Sequence, residues 1–111
     1  MRITELSHIA AIPLSHNAGI FKQVYIGPGA LPHLTQLAQA RIPPGASVEP
    51  HLHPDMHEVF VVLDGRGRAV VNGNELQIER GTCLQIEPGE THSLHCSGND
   101  HLVLLYFGIA R

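Results

Sequence analysis

Short apolar stretches rich in β-branched residues alternate along this chain with turns rich in glycine and proline. Eleven glycines and eight prolines divide the 111 residues into segments that are too short for amphipathic helices. The apolar pattern therefore predicts strands rather than helices. The predicted strands are 21–26, 37–42, 58–63, 83–86 and 102–107, with another beginning at His92 and a hairpin turn at Asn72-Gly73.

The spacing of these segments predicts the fold class. Seven or so short strands, with turns every eight to twelve residues, are typical of an all-β sandwich or barrel. Segment 58–63 is apolar on both faces, as expected for a strand that is packed on two sides. We expect one domain over residues 1–111, with a core over roughly 20–109 and a loose N-terminal arm over 1–12.

Composition and charge narrow the partners of the protein. The formal net charge is −3 and Lys22 is the single lysine, which disfavours nucleic acid and anionic membranes as partners. No apolar run reaches the roughly 20 residues that a spanning helix needs. Cys83 and Cys96 have neither zinc-pair spacing nor the density of a disulfide scaffold. We therefore expect a cytoplasmic protein with no membrane partner.

Histidine is the unusual residue of this chain, and three of its nine histidines lie in the segment HLHPDMHEVFVVLDG at 51–65. Imidazoles and a carboxylate this close together are costly to bury unless a divalent metal ion compensates them. His51 and His53 project to the same side of an extended chain. Glu58 shares its side with Phe60 and Val62, and further along His92 shares its side with Leu94 and Cys96.

These residues also form two motifs, and through them the chain resembles the cupin superfamily. The first cupin motif, G-x5-HxH-x4-E-x6-G, is matched in full by Gly45, His51, His53, Glu58 and Gly65. The second, G-x5-PxG-x2-H-x3-N, is matched at Gly81, Gly89 and His92, whereas Glu87 replaces the usual proline and Cys96 the usual asparagine. The 15 residues between the motifs (66–80) resemble the short spacer of small single-domain bacterial cupins.

The resemblance implies a single jelly-roll β-barrel (a double-stranded β-helix) with one divalent transition metal inside. The implied ligands are His51, His53, Glu58 and His92. Three neutral imidazoles and a carboxylate suit Fe, Mn, Zn, Ni or Co better than Ca or Mg. Four protein ligands on an octahedral ion leave two adjacent positions open for water, dioxygen or a chelating substrate.

Other residues are weaker candidates for the site. We expect His57, His95 and His101 to face outward or into a subunit contact, and Cys96 to act as a small buried hydrophobe. Tyr25 and Tyr106 are expected in wall packing, and Glu90 is a weak candidate for a general base. The candidate substrate contacts are Gln39, Arg41, Phe60, Val62, Leu94 and Cys96, with Gln39 and Arg41 included only if their face of the strand points inward.

Three functions remain open at the level of sequence. The first is a metal-dependent, dioxygenase-like oxidoreductase acting on a small chelating organic molecule. The second is a redox-neutral isomerase, lyase or decarboxylase, and the third is a non-catalytic module that binds a small molecule or a metal. An apolar interior, with a single lysine in the chain and no arginine clearly inward, disfavours phosphorylated substrates. Strands 58–63 and 102–107 are apolar on both faces, which predicts a homodimer.

Overall fold

The computed structural model describes residues 1–14 and 17–111 and is almost entirely β-structure. One 3-10 turn, Leu6–His8, precedes the strands. Over the described residues, no helix is long and apolar enough to cross a membrane. The strands are β1 Ile12–Leu14, β2 Asn17–Ile26, β3 Leu34–Ile42, β4 Ser47–His51, β5 Met56–Asp64, β6 Arg66–Val71, β7 Asn74–Glu79, β8 Cys83–Ile86, β9 His92–Cys96 and β10 Leu102–Ala110.

The strands form two antiparallel sheets that enclose the core. The larger sheet has the order β1-β2-β3-β10-β5-β8 and the smaller has the order β4-β9-β6-β7. Apolar side chains from both sheets meet between them, among them Ile42 and Leu104 from the larger sheet and Leu94 from the smaller. The arrangement is the jelly roll of cupins, which confirms the predicted fold class.

Alternation along the strands explains why the core lies where it does. In β9, His92, Leu94 and Cys96 are buried while the residues between them are partly exposed. In β5, Glu58 is buried together with the next two residues of its parity. A strand with one face on the core must alternate in this way, because successive side chains point to opposite faces. The two faces predicted to point inward therefore do so.

The hairpin between β6 and β7 follows from its turn residues. Asn72 and Gly73 have φ values of 48° and 82°, so both lie in the left-handed region that a type I′ turn requires. Val71 pairs with Asn74 across the turn, and the ladder continues to Arg66 and Glu79. The Asn72-Gly73 prediction is confirmed in position and geometry.

Some strand limits differ from those predicted. β2 begins at Asn17 rather than at residue 21, and β10 continues to Ala110 rather than ending at residue 107. β1 and β4 were not predicted. β1 has only three residues, both strands contain a proline, and neither strand shows a clear alternation. The segment before β1 is tied to β2, since the Gln23 side chain donates hydrogen bonds to the carbonyls of Leu6 (3.1 Å) and Ile9 (2.9 Å).

Candidate metal centre

Four predicted ligand residues converge where the two sheets face each other. His51 ends β4 and pairs across the smaller sheet with His92, the first residue of β9. Glu58 reaches the same point from β5 in the larger sheet, and His53 lies in the loop between β4 and β5. One ligand atom from each residue lies within 4.8 Å of all the others. Side chains from two separate motifs thus meet at one position.

The spacing of these atoms fits a single metal ion. Bonds of about 2.1 Å to an octahedral ion separate neighbouring ligand atoms by about 3 Å and opposite ones by about 4.2 Å. His92 Nε2 lies 3.0 Å from Glu58 Oε1, and His53 Nε2 lies 3.6 Å from the same oxygen. The donor set of three imidazoles and one carboxylate is that of transition-metal sites.

Backbone contacts fix the orientation of two of the rings. His51 Nδ1 donates to the carbonyl oxygen of Glu49 at 2.9 Å, and His92 Nδ1 donates to that of Glu90 at 3.0 Å. A carbonyl oxygen only accepts hydrogen bonds, so Nδ1 carries the proton in both rings. The Nε2 lone pair of His51 is therefore free for a metal, whereas His92 Nε2 donates to Glu58 Oε1 at 3.0 Å and would bind a metal after releasing that proton.

The electrostatics of the cluster attract a cation. Glu58 is 8% exposed and His92 is 2% exposed. Burial lowers the pKa of His92, but the hydrogen bonds that its ring donates to Glu58 and to the Glu90 carbonyl, together with the negative charges of these two residues, outweigh burial and raise this pKa overall. The pKa of His53 is lowered, first by burial and also by repulsion from His51 and His92 against the attraction of Glu58. A buried carboxylate that draws a proton onto one imidazole would serve a divalent ion equally well.

Three residues of the cluster, His51, His53 and Glu58, form part of the wall of a cavity of about 360 Å³ that opens to solvent. Its other polar lining residues are Lys22, Gln36 and Glu49. The rest of the wall is mainly apolar and comes from both sheets. These remaining lining residues are Leu14, Ala40, Ile42, Val48, Pro50, Phe60, Leu94, Leu104 and Tyr106.

The predicted substrate contacts divide into three groups. Phe60 and Leu94 line the cavity. Val62 and Cys96 are buried in the core away from it, and the Cys96 thiol donates to the carbonyl of Asp100 at 3.2 Å. Gln39 and Arg41 do not line it in the described part of the chain, because the side of β3 that faces the cavity carries Gln36, Ala40 and Ile42. The condition attached to Gln39 and Arg41 is therefore not met.

Three polar cavity residues, Lys22, Gln36 and Glu49, were missed in the sequence. Lys22 lines the cavity and its ammonium donates to Gln36 Oε1 at 3.0 Å. The single lysine, whose direction the sequence did not indicate, thus points into the cavity. The available signal was parity, since Lys22 lies two residues from Ile20, which is 2% exposed. It was ambiguous because Phe21 and Tyr25, on the opposite face, are also apolar.

Tyr106 adds a phenol to the cavity wall. Its ring stacks on Phe60 with centroids 5.7 Å apart. Burial, with a smaller contribution from the charge of Glu58, raises its pKa to about 12. The hydroxyl is therefore a neutral hydrogen-bond donor throughout the physiological range. Tyr25 lies instead on the outer face of the larger sheet.

The other titratable candidates have separate environments. His95 Nδ1 hydrogen-bonds the Ser47 hydroxyl at 2.5 Å, and His101 is exposed. His57 is partly buried, and its Nδ1 has no hydrogen-bond partner among residues 1–14 and 17–111. The Glu90 carboxylate accepts from the backbone amide of Glu87 at 2.8 Å, so it stabilises a turn. The four-residue cluster includes none of these side chains.

Comparison with known protein families identifies the class to which this fold and this cluster belong. The cupin-domain family model Cupin_2 matches residues 38–108, which is more than half of the chain. The match includes all four residues of the cluster. The chain belongs to the cupin family.

Individual relatives refine the picture. The chain is 35% identical over 68 residues to the "Oxalate-binding protein" of Thermotoga maritima, covering 61% of this chain and 56% of the relative. It is 26% identical over 92 residues to the "Tetracenomycin polyketide synthase protein TcmJ" of Streptomyces glaucescens, covering 82% of this chain and 62% of that protein. The chain spans 55% to 62% of the length of the curated relatives that it matches.

Solved structures agree on the fold. A Thermotoga maritima protein described as a "predicted oxalate decarboxylase" superposes with a TM-score of 0.92 at 26% identity, covering 99% of this chain and all of that one. The polyketide cyclase RemF of Streptomyces resistomycificus superposes with a TM-score of 0.84 at 20% identity, covering all of this chain and 80% of that one. The second likeness shows the fold alone.

Proposed function

We propose that this cupin binds one divalent transition metal and uses it to hold a small, chelating organic acid. The observation that carries the proposal is the convergence of His51, His53, Glu58 and His92 within 4.8 Å, with the first three lining a cavity of about 360 Å³. A cavity of this volume accommodates a small molecule. Relatives described as oxalate-binding and as a predicted oxalate decarboxylase support a carboxylate as the ligand.

Some residues of the site would hold the ion, and the others would shape the cavity around the ligand. Three imidazole Nε2 atoms and the Glu58 carboxylate would hold the metal, which supplies a Lewis acid with open positions for the ligand. Phe60, Leu94 and Leu104 form an apolar wall that limits water and strengthens electrostatic contacts inside. The Tyr106 phenol would donate a hydrogen bond to an anionic group of the ligand.

Two reaction classes suit such a site. The first is dioxygenase-type oxidation, supported by two adjacent open positions on an octahedral ion with four protein ligands. The second is redox-neutral chemistry such as decarboxylation, supported by the neighbour described as a predicted oxalate decarboxylase and by the neutral phenol of Tyr106. A module that binds oxalate without turnover is the third outcome of the same test.

The test has two stages. Protein purified without chelators is analysed for bound metals, and the metal-loaded protein is titrated calorimetrically with oxalate. Oxygen consumption with Fe(II) or Ni(II) and a chelating enol would support oxidation. Anaerobic release of CO₂ from oxalate with Mn(II) would support decarboxylation. A protein that takes up no transition metal at micromolar concentration would contradict the proposal.

We further propose a cytoplasmic homodimer. The outer face of the larger sheet carries a groove of about 640 Å³ whose lining is mostly apolar, with Tyr25, Leu37, Leu63 and Leu105 among its residues. Apolar surface of this kind is stabilised when a second subunit covers it. Light scattering of the purified protein measures the solution mass, and a monomer at micromolar concentration would contradict the dimer.

A further inference from the structure

The cavity has a second charged group besides the metal cluster, and it comes from a strand that contributes no ligand. Lys22, on β2, is the only lysine of the chain. Its cross-strand partner is Ala40, which also lines the cavity, so both side chains face inward. The ammonium donates to Gln36 Oε1 at 3.0 Å. Gln36 therefore holds this cation inside the cavity without neutralising it.

Lys22 lines the same cavity as three residues of the metal cluster, and Gln36, which accepts its hydrogen bond, lies two strands from Glu58. β10 pairs Phe107 with Leu37 of β3, and pairs the next residue, Gly108, with Glu58 of β5. Gln36, next to Leu37 in β3, is therefore nearly level with Glu58 in β5, and β10 lies between these two strands. Neighbouring strands are about 4.8 Å apart, so the two backbones are separated by about 10 Å.

The charges of the loaded site are unbalanced. A divalent ion and the Lys22 ammonium carry three positive charges, and Glu58 neutralises one of them. The remaining acidic lining residue, Glu49, is exposed. A dianion would balance the remaining charge. We infer that Lys22, oriented by Gln36, binds the second carboxylate of a small dicarboxylate whose first carboxylate lies at the metal.

This inference rests on the proposed function and names its ligand class. The ammonium would contribute one charge-assisted hydrogen bond, an interaction that typically changes affinity by roughly 10-fold or more. A ligand with a single carboxylate would engage the metal end alone. Lys22 should therefore discriminate between dianions and monoanions of the same shape.

The experiment compares Lys22→Gln with the wild type, both loaded with the same metal. Arg41→Gln is the matched control, since it removes the same charge from an exposed position on the adjacent strand. Each protein is titrated calorimetrically with oxalate, with malonate and with oxamate, in which an amide replaces one carboxylate of oxalate. Metal content is measured for every sample.

We expect Lys22→Gln to bind oxalate and malonate at least about 10-fold more weakly, with oxamate binding and metal content unchanged, and Arg41→Gln to match the wild type. Unchanged dianion affinity in Lys22→Gln would overturn the inference and leave the proposed function standing. An equal loss for oxamate, or a loss of metal, would also overturn it, because the lysine would then support the site in general. If the metal-loaded wild type binds none of the three anions, the proposed ligand class fails as well.

Discussion

Removal of one metal ligand should abolish the stabilisation that the metal gives to the fold. The perturbation is His51→Ala, chosen because His51 is partly exposed at the end of β4 and its loss leaves the buried core unchanged. His101→Ala is the matched control, because His101 is exposed and outside the cluster. His92→Ala would be less informative, since this side chain is 2% exposed and its removal leaves a cavity.

The size of the effect follows from linkage. A metal present at about 100 times its dissociation constant stabilises the folded state by about 2.7 kcal/mol. At about 2.1 cal/mol/K per residue, the 111 residues have an unfolding entropy of about 230 cal/mol/K, so Tm should rise by about 12 °C. If losing a ligand weakens binding about 100-fold, the stabilisation falls to about 0.4 kcal/mol, and the rise in Tm falls to about 2 °C.

The assay is thermal unfolding of each protein, stripped with a chelator and then reloaded with Zn(II) or Mn(II), together with elemental analysis. The wild type and His101→Ala should show the full rise in Tm and equal metal content. His51→Ala should show little of either. The same metal-dependent rise in His51→Ala and His101→Ala would refute the assignment of this ligand.

Three further predictions concern the rest of the structure. Gly67→Ala should reduce the free energy of unfolding, measured in urea, by about 2–3 kcal/mol. The added Cβ would overlap the His95 carbonyl oxygen and lie 2.8 Å from a Leu102 methyl. Gly27→Ala is the control, because an added Cβ there has no described atom within 4 Å. Because the pKa of Tyr106 is raised from 10.0 to about 12, stability should fall by about 1.4 kcal/mol per pH unit within that window, the unfolded state losing its proton first. Tyr106→Phe should lack this slope in urea unfolding measured from pH 9 to 12, and an identical slope would contradict the burial. Leu105→Glu should convert the proposed dimer to a monomer, as measured by light scattering. Leu76→Glu, on the other sheet, should remain a dimer. A dimeric Leu105→Glu would place the interface elsewhere.

The cluster could be predicted from the sequence because its four residues match the two cupin motifs. Parity added the direction of Glu58 and His92, since each lies on a strand with one buried face. In β3 the two faces could not be distinguished, because Ala38, Gln39 and Ala40 are all buried whichever side faces the cavity. Parity therefore gave no direction to the strand that supplies Gln36.

The strands β1 and β4 show a second limit to predicting strands from the pattern of apolar and polar residues. β1 has only three residues. β4 has a partner that is distant in sequence, and it runs through Glu49 and Pro50, which are exposed. Pairing with β9 defines this strand rather than any property of its own residues. Long-range pairing of this kind depends on the assembled sheet, and local propensity is a poor guide to it.

The backbone carbonyls that hold His51 and His92 each belong to the residue two positions earlier in the chain. The orientation of each ring is thus set by its own segment of chain, and it is fixed once that segment has formed. An arriving ion would find these donors already pointed and would need no rearrangement of the protein around them. Association of an ion with the site should accordingly be limited by the loss of water from the ion and not by reorientation of these two rings.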